Sequence, residues 1–160
     1  MFDQEGKISQ INYAVDAINN AGTAIGMLFD GGIALVCEKD TNETLLEVSR
    51  SSEKIFALDS HLFCIMSGME ADANYLIDKI RELCQWHRYN YRAAMPIDNV
   101  VQTVCGWKQN NTLRGGRRPF GIGFTYAGWD EINGHQIWHS DPAGVFGGWK
   151  AHAQGKSNVV

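Results

Sequence analysis

The chain has 160 residues, of which 44% are hydrophobic, and a formal net charge of −4, values that predict one globular domain over residues 1–160. The acidic balance argues against a general nucleic-acid surface and a surface for anionic membranes, because both need concentrated Lys and Arg. No apolar run approaches the roughly 20 residues that span a bilayer, and the acidic N-terminal segment lacks the apolar core of a secretion signal, so we expect an intracellular protein.

The first predicted element is a short amphipathic helix over about residues 8–20. Ile8, Ile11, Val15 and Ile18 recur at helical spacing and leave polar residues on the other faces. A helix this short is marginal alone, so its apolar stripe must pack on something. The pattern leaves two partners open, which are the helix's own domain and a neighbouring subunit.

Four short apolar runs follow and predict two hairpins. Residues 23–29 and 33–37 flank a turn at 30–32, and residues 54–58 and 62–66 flank a second turn at 59–61. We expect the four strands to form one sheet.

Two amphipathic helices are predicted next. Residues 71–90 carry an apolar face that consists of Ala73, Leu76, Ile77, Ile80, Leu83 and Cys84. A second helix, with Asp98 as its N-cap, carries the apolar residues Val100, Val101, Val104, Cys105 and Trp107.

The remaining elements are strands. Residues 120–127 and 136–139 are predicted to pair through a tight turn at Asn133-Gly134, and a further strand is predicted over 148–153. This order of elements predicts an α+β fold with a helix layer over stacked sheets.

The residue types that carry metal or redox chemistry show no convincing arrangement. The four cysteines are widely spaced and form no Cys-x-x-Cys pair, which favours reduced, mostly buried thiols. His135, His139 and Asp141 are conceivable metal ligands, but their even spacing on a predicted edge hairpin is more typical of a solvated face. We therefore expect no metal and no cofactor.

Short motifs along the chain resemble, in the same order, the landmarks of proteasome alpha subunits. They are FDQEGKI at 2–8, QINYA at 10–14, Ala17-Ile18, Gly22-Thr23, SEKI at 52–55, SGMEADA at 67–73, GGRRPFG at 115–121, YAGWD at 126–130, DPAG at 141–144 and GWKA at 148–151. The resemblance implies a four-layer α/β/β/α sandwich of the N-terminal-nucleophile hydrolase type. The sequence stops at Val160, about where the family begins a third long helix, so the last helices and strands are expected to be absent.

The same resemblance implies a function. It predicts a non-catalytic structural subunit of the proteasome core particle, found in cytoplasm and nucleus, that contributes to ring assembly, substrate gating and activator docking in ubiquitin-dependent protein degradation. The implied partners are other alpha subunits in a heptameric ring, beta subunits, and the C-terminal tails of the regulatory particle or of other activators. An N-terminal threonine hydrolase of the same fold and a truncated product that does not assemble remain the alternatives.

The resemblance also assigns roles to individual residues. Lys54 matches the lysine that receives the terminal carboxylate of an activator's tail, and Gly68 and Met69 match the neighbouring wall of that pocket. Ile11 and Val15 are expected to make ring contacts. Tyr13 matches a tyrosine of the open gate, although Gln4 replaces the family's proline and the usual Tyr-Asp-Arg ahead of Phe2 is missing, so Tyr13 is alternatively a buried helix residue.

Catalysis is disfavoured by the sequence register. Catalytic beta subunits use an N-terminal threonine whose own amine serves as the base. Alignment of Gly26, Glu38 and Lys54 with the beta pattern places Gly22 at the nucleophile position and Thr23 one residue later. Glycine offers no nucleophile, and a shift of one residue in a strand turns a side chain to the opposite face.

Overall fold

Two antiparallel sheets pack against each other in the computed structural model, which describes residues 2–39 and 54–156. The elements are α1 (Ser9–Asn19), β1 (Ala24–Phe29), β2 (Gly32–Cys37), β3 (Ile55–Asp59), β4 (Leu62–Gly68), α2 (Glu70–Tyr91), α3 (Ile97–Leu113), β5 (Ile122–Asp130), β6 (Gly134–Ser140), β7 (Phe146–Trp149) and β8 (Ala151–Gln154). Met1, residues 40–53, which include Ser52 and Glu53 of the SEKI motif, and residues 157–160 lie outside the described part.

The two predicted hairpins form, but they do not share a sheet as expected. The first hairpin joins β8 in a three-stranded sheet of order β2-β1-β8, whereas the second belongs to a five-stranded sheet of order β3-β4-β5-β6-β7. The prediction of one four-stranded sheet was wrong because an alternating pattern tells which face of a strand is buried but not which strand edge it pairs with.

The main core lies between the five-stranded sheet and the helices α2 and α3. The apolar face predicted for α2 is buried there, except that Leu83 is only half-buried. It meets side chains that point from the sheet towards the helices, among them Cys64, Met66, Phe124 and Tyr126. The apolar residues predicted for α3 are buried there as well, except that Trp107 is only half-buried, so the periodicity of the two helices predicted most of their buried faces.

Asp98 is not the N-cap of α3. The helix begins two residues earlier than that cap requires, Pro96 is the capping residue, and no side chain caps the helix. Asp98 lies in the first turn, where its Oδ1 accepts a hydrogen bond of 2.8 Å from the Asn99 N–H. A carboxylate in the first turn still interacts favourably with the helix dipole.

The strand predicted over 148–153 is in fact two strands that belong to different sheets. β7 pairs with β6, and after Lys150 the chain crosses to pair β8 with β1. β6 therefore lies between β5 and β7, so the prediction of an edge hairpin at His135 and His139 was wrong.

The α1 helix packs on its own domain. Ala14 and Ile18 are its buried residues, and the Ile18 side chain lies against Gly123 of β5. The other apolar residues of the predicted stripe are only partly buried, so a second partner for this face is still compatible with the structure.

The described residues form three of the four predicted layers, which are the α2–α3 pair, the five-stranded sheet and the three-stranded sheet. On the outer face of the three-stranded sheet Ile25, Met27 and Phe29 are 43%, 49% and 54% exposed. No helix of residues 2–39 or 54–156 combines the length and apolarity that a bilayer crossing requires.

Candidate functional site

Three residues that are far apart in the chain meet at one end of the two sheets. Gly22 precedes β1, Glu38 follows β2 and Lys54 precedes β3. A Cβ atom on Gly22 would lie 2.6 Å from Lys54 Nζ and 3.4 Å from Glu38 Oε2. The amine of Lys54 thus occupies the space that a side chain of residue 22 would need.

The backbone around Gly22 is held from both sides. The Thr23 N–H donates to Glu38 Oε2 at 3.0 Å, and the Glu38 N–H donates to the Thr23 carbonyl at 2.8 Å. On the other side the Lys156 N–H donates to the Ala21 carbonyl at 2.8 Å. These bonds fix the segment between the end of β2 and the residues after β8.

Thr23 has no geometry for nucleophilic catalysis. Its hydroxyl donates to the Lys156 carbonyl at 2.7 Å, and a peptide carbonyl is not a base that could activate it. Its N–H is an internal amide hydrogen-bonded to Glu38. The site contains a lysine, Lys54, and a carboxylate, Glu38, but residue 22, beside the Lys54 amine, is a glycine and offers no nucleophile.

Lys54 is a half-buried residue whose backbone is anchored in the sheet. The Met66 N–H donates to the Lys54 carbonyl at 3.0 Å, which continues the β3–β4 ladder. Among the described residues no carboxylate lies within ion-pair distance of Lys54 Nζ.

Gly68 and Met69 lie at the same end of the five-stranded sheet as Lys54. Gly68 is two residues beyond Met66 on β4, which is about 7 Å along the strand. Its φ of +118° favours glycine, and an added Cβ would collide with the Gly121 carbonyl. Met69 is 46% exposed, and its N–H donates to the Gly121 carbonyl at 2.8 Å.

An ion pair fixes this turn to the rest of the fold. Asp72 accepts hydrogen bonds of 2.7 Å from both terminal nitrogens of Arg118 and one of 2.9 Å from the Gly121 N–H. Burial by itself would raise the pKa of Asp72, but the bonds from Arg118 and Gly121 outweigh it and hold the pKa below its ordinary value. The motifs at 67–73 and 115–121 are visible in the sequence, but the contact between them is not.

The α1 side chains assigned to ring contacts and gating are accessible to different degrees. Tyr13 is 70% exposed, so the alternative that it is a buried helix residue is wrong. Ile11 and Val15 are half-buried. In the part of the chain that the structure describes, no hydrogen bond or ion pair joins any of these three residues to Lys54.

The histidines form no metal centre among the described residues. His139 of β6 and His152 of β8 stack across the two sheets with ring centroids 3.9 Å apart. Burial, with smaller contributions from His152 and Lys108, lowers the pKa of His139 to about 3, so the ring is neutral at pH 7. His135 is exposed and does not take part.

Lys108 of α3 is a buried cation that periodicity does not reveal. Its Nζ donates to Ser140 Oγ at 2.9 Å and to the Ile122 carbonyl at 3.1 Å, under the five-stranded sheet. Burial lowers its pKa to about 8. It lies in the packed core, so we assign it a structural role.

Comparison with known proteins agrees with this geometry. The sequence model of the proteasome family, described as proteasome subunit, matches residues 18–160, and the chain belongs to that family. Within it, the chain is 44% identical over 158 residues to proteasome subunit alpha type-4-A of Arabidopsis thaliana, and equally to the alpha type-4 subunits of Spinacia oleracea and Petunia hybrida. These alignments cover 99% of the chain, which spans 63% of the length of the first two relatives and 64% of the third.

Proposed function

We propose that this chain is a non-catalytic alpha-type subunit of the proteasome core particle. One observation carries the proposal, namely that residue 22 is a glycine and that the Lys54 amine stands where its side chain would be. A hydrolase of this fold needs a nucleophile beside the lysine, and a lysine without one is left as a docking cation. Family membership and the likeness to alpha type-4 subunits support the same reading.

Within this proposal, α1 contributes to ring assembly and gating. The half-buried Ile11 and Val15 lie on a helix that already packs on its own domain through Ala14 and Ile18. They supply a narrow apolar surface for a neighbouring alpha subunit. The exposed Tyr13 supplies an aromatic side chain with a hydroxyl for contacts at the entry gate.

The activator site is the cation at Lys54. A terminal carboxylate is recognised by a fixed ammonium group, and Lys54 has its backbone in the sheet and its charge unpaired among the described residues. Gly68 and Met69 supply the backbone and an adaptable apolar wall at the same end of the sheet.

The exposed outer face of the three-stranded sheet raises a second candidate function. Exposed Ile25, Met27 and Phe29 form an apolar surface that a free monomer must keep from aggregating. The candidate is a chain that folds but does not enter the ring. Co-expression with the other alpha and beta subunits, followed by native mass spectrometry, separates the two, because only a ring subunit is found in the particle.

The Lys54 site is tested in particles that contain the chain. A carboxylate–ammonium contact is worth roughly 1.5–3 kcal/mol, so Lys54→Ala should weaken binding of a single labelled activator tail peptide by about ten- to a hundredfold. Lys150→Ala, which removes an exposed lysine elsewhere, is the matched control. Unchanged affinity of the Lys54 variant would remove the docking role, and loss of the particle itself would show that Lys54 is structural.

A further inference from the structure

The space beside Gly22 is shared by two charges. The position of a Cβ on Gly22 is 2.6 Å from Lys54 Nζ and 3.4 Å from Glu38 Oε2, yet the two charged groups are not close enough to form an ion pair. One small region therefore holds a cation and an anion that form no ion pair with each other.

The backbone at Gly22 cannot retreat from an added methyl group. A Cβ on Gly155, whose φ is +98°, would lie 2.6 Å from the Gly22 carbonyl oxygen, which shows how closely the two segments pack. The hydrogen bond from Lys156 to Ala21 and the paired bonds between Thr23 and Glu38 hold the same segment. The amine of Lys54 is the flexible group that must move.

Glu38 is fixed as firmly as Gly22. Its N–H donates to the Thr23 carbonyl and its carboxylate accepts the Thr23 N–H at 3.0 Å. The bond from the Thr23 N–H favours a position of the Glu38 carboxylate close to Lys54, where a second carboxylate would arrive. The two anions repel each other, and the repulsion weakens with added salt.

We propose that Gly22 and Glu38 set the affinity of the Lys54 site for a terminal carboxylate, Gly22 by leaving room for the amine and Glu38 by opposing the incoming charge. This inference rests on the docking role proposed for Lys54. Both are positioning residues that act on the ligand through or beside the lysine. The site is thereby tuned to a contact that is weaker than the lysine alone would make.

Two substitutions separate the contributions. Gly22→Ala displaces the amine and should weaken tail-peptide binding at least about threefold, up to the full loss seen with Lys54→Ala. Glu38→Gln keeps an acceptor for the Thr23 N–H but removes the charge, and should tighten binding about threefold at low salt. Gly115→Ala is the matched control, because its methyl group would meet nothing within 4 Å.

The decisive measurement is a double-mutant cycle in assembled particles, with a labelled activator tail peptide and its C-terminal amide. Gly22→Ala should have no further effect in a Lys54→Ala background, and the gain from Glu38→Gln should shrink as salt is added and be absent for the amide. If Lys54→Ala binds like the wild type, the docking role fails and this inference with it. If Lys54→Ala weakens binding while Gly22→Ala and Glu38→Gln do not change it, only this inference fails.

The position of the amine is tested separately on the free chain. Competitive acetylation followed by mass spectrometry reports the reactivity of Lys54 relative to the exposed Lys7 and Lys150. Gly22→Ala should change the relative reactivity of Lys54 while leaving the urea midpoint close to the wild type, because the displaced atom is the end of a flexible side chain. Unchanged reactivity would overturn the role of Gly22 whether or not particles form.

Discussion

The ion pair between Asp72 and Arg118 should be the main interaction that stabilises the turn that carries Gly68 and Met69. We expect Asp72→Asn to destabilise the chain by about 2 kcal/mol. Hydrogen bonds to a charged group are worth roughly 1.5–3 kcal/mol each, and the bond from the buried Gly121 N–H is of this kind. The two bonds from Arg118 count for less, because its side chain is 58% exposed and screened by solvent.

Urea unfolding at pH 7, followed by tryptophan fluorescence, measures the loss. The matched control is Asp78→Asn on the same helix. The Asp78 side chain is 80% exposed, and its Oδ1 lies 3.6 Å from Arg81 Nη1, which is too long for a strong hydrogen bond. The control should change stability by less than about 0.5 kcal/mol. A chain of this length should also melt about 4–8 °C lower for the predicted 2 kcal/mol.

The pH dependence gives a second check on the same pair. The pKa of Asp72 is lower in the folded chain than its ordinary value of 3.8, so its ionised form stabilises the fold. That stabilisation is complete well above pH 3.8 and is lost as the pH falls through the folded pKa. The difference between wild type and Asp72→Asn should therefore vanish in strong acid. Equal stability at pH 7, or a difference that persists unchanged in strong acid, would refute the reasoning.

Two further predictions concern the same fold. Gly68→Ala should lower the free energy of unfolding by more than about 2 kcal/mol, because the φ of +118° and the Gly121 carbonyl both oppose a methyl group. The control Gly115→Ala should change it little. Equal urea midpoints for the two variants would contradict this prediction. Cys37 is half-buried and should react with a maleimide before the three buried cysteines, of which Cys64 has its pKa raised by burial to about 12. Intact mass should show one early adduct on the native chain and four adducts after denaturation. Simultaneous labelling of all four cysteines in the native chain would contradict the packing.

The sequence by itself determined most of the elements and their buried faces. The α2 stripe from Ala73 to Cys84 is apolar at helical spacing, and the same residues form the core. The Asn133-Gly134 turn between β5 and β6 was equally readable, since Gly134 has a φ of +69° and the Asp130 carboxylate accepts the N–H groups of Ile132 and Asn133. Such features depend on neighbours within a few residues, which is the range over which periodicity and turn chemistry act.

The candidate site was predicted only in part. The resemblance singled out Lys54, and the register singled out Gly22 and Glu38, but neither could show that the Lys54 amine fills the space beside Gly22. The roles of Lys54, Gly68, Met69, Ile11, Val15 and Tyr13 stay predictions, although the structure shows that Tyr13 is exposed. A side chain's position depends on what surrounds it in space, and that is not a local property of the sequence.

Only the tertiary structure decided how the elements combine. The two hairpins belong to different sheets, and the chain crosses from one sheet to the other at Lys150. Lys108 is buried under β5 and β6, where its amine donates a hydrogen bond to Ser140. Each of these outcomes depends on partners far away in the chain, and a pattern of apolar residues specifies that a face is buried without specifying what buries it. The β1–β2 hairpin already brings Gly22 and Glu38 together, and Lys54 reaches them because the start of β3 lies at the open end of that hairpin only when the two sheets are stacked.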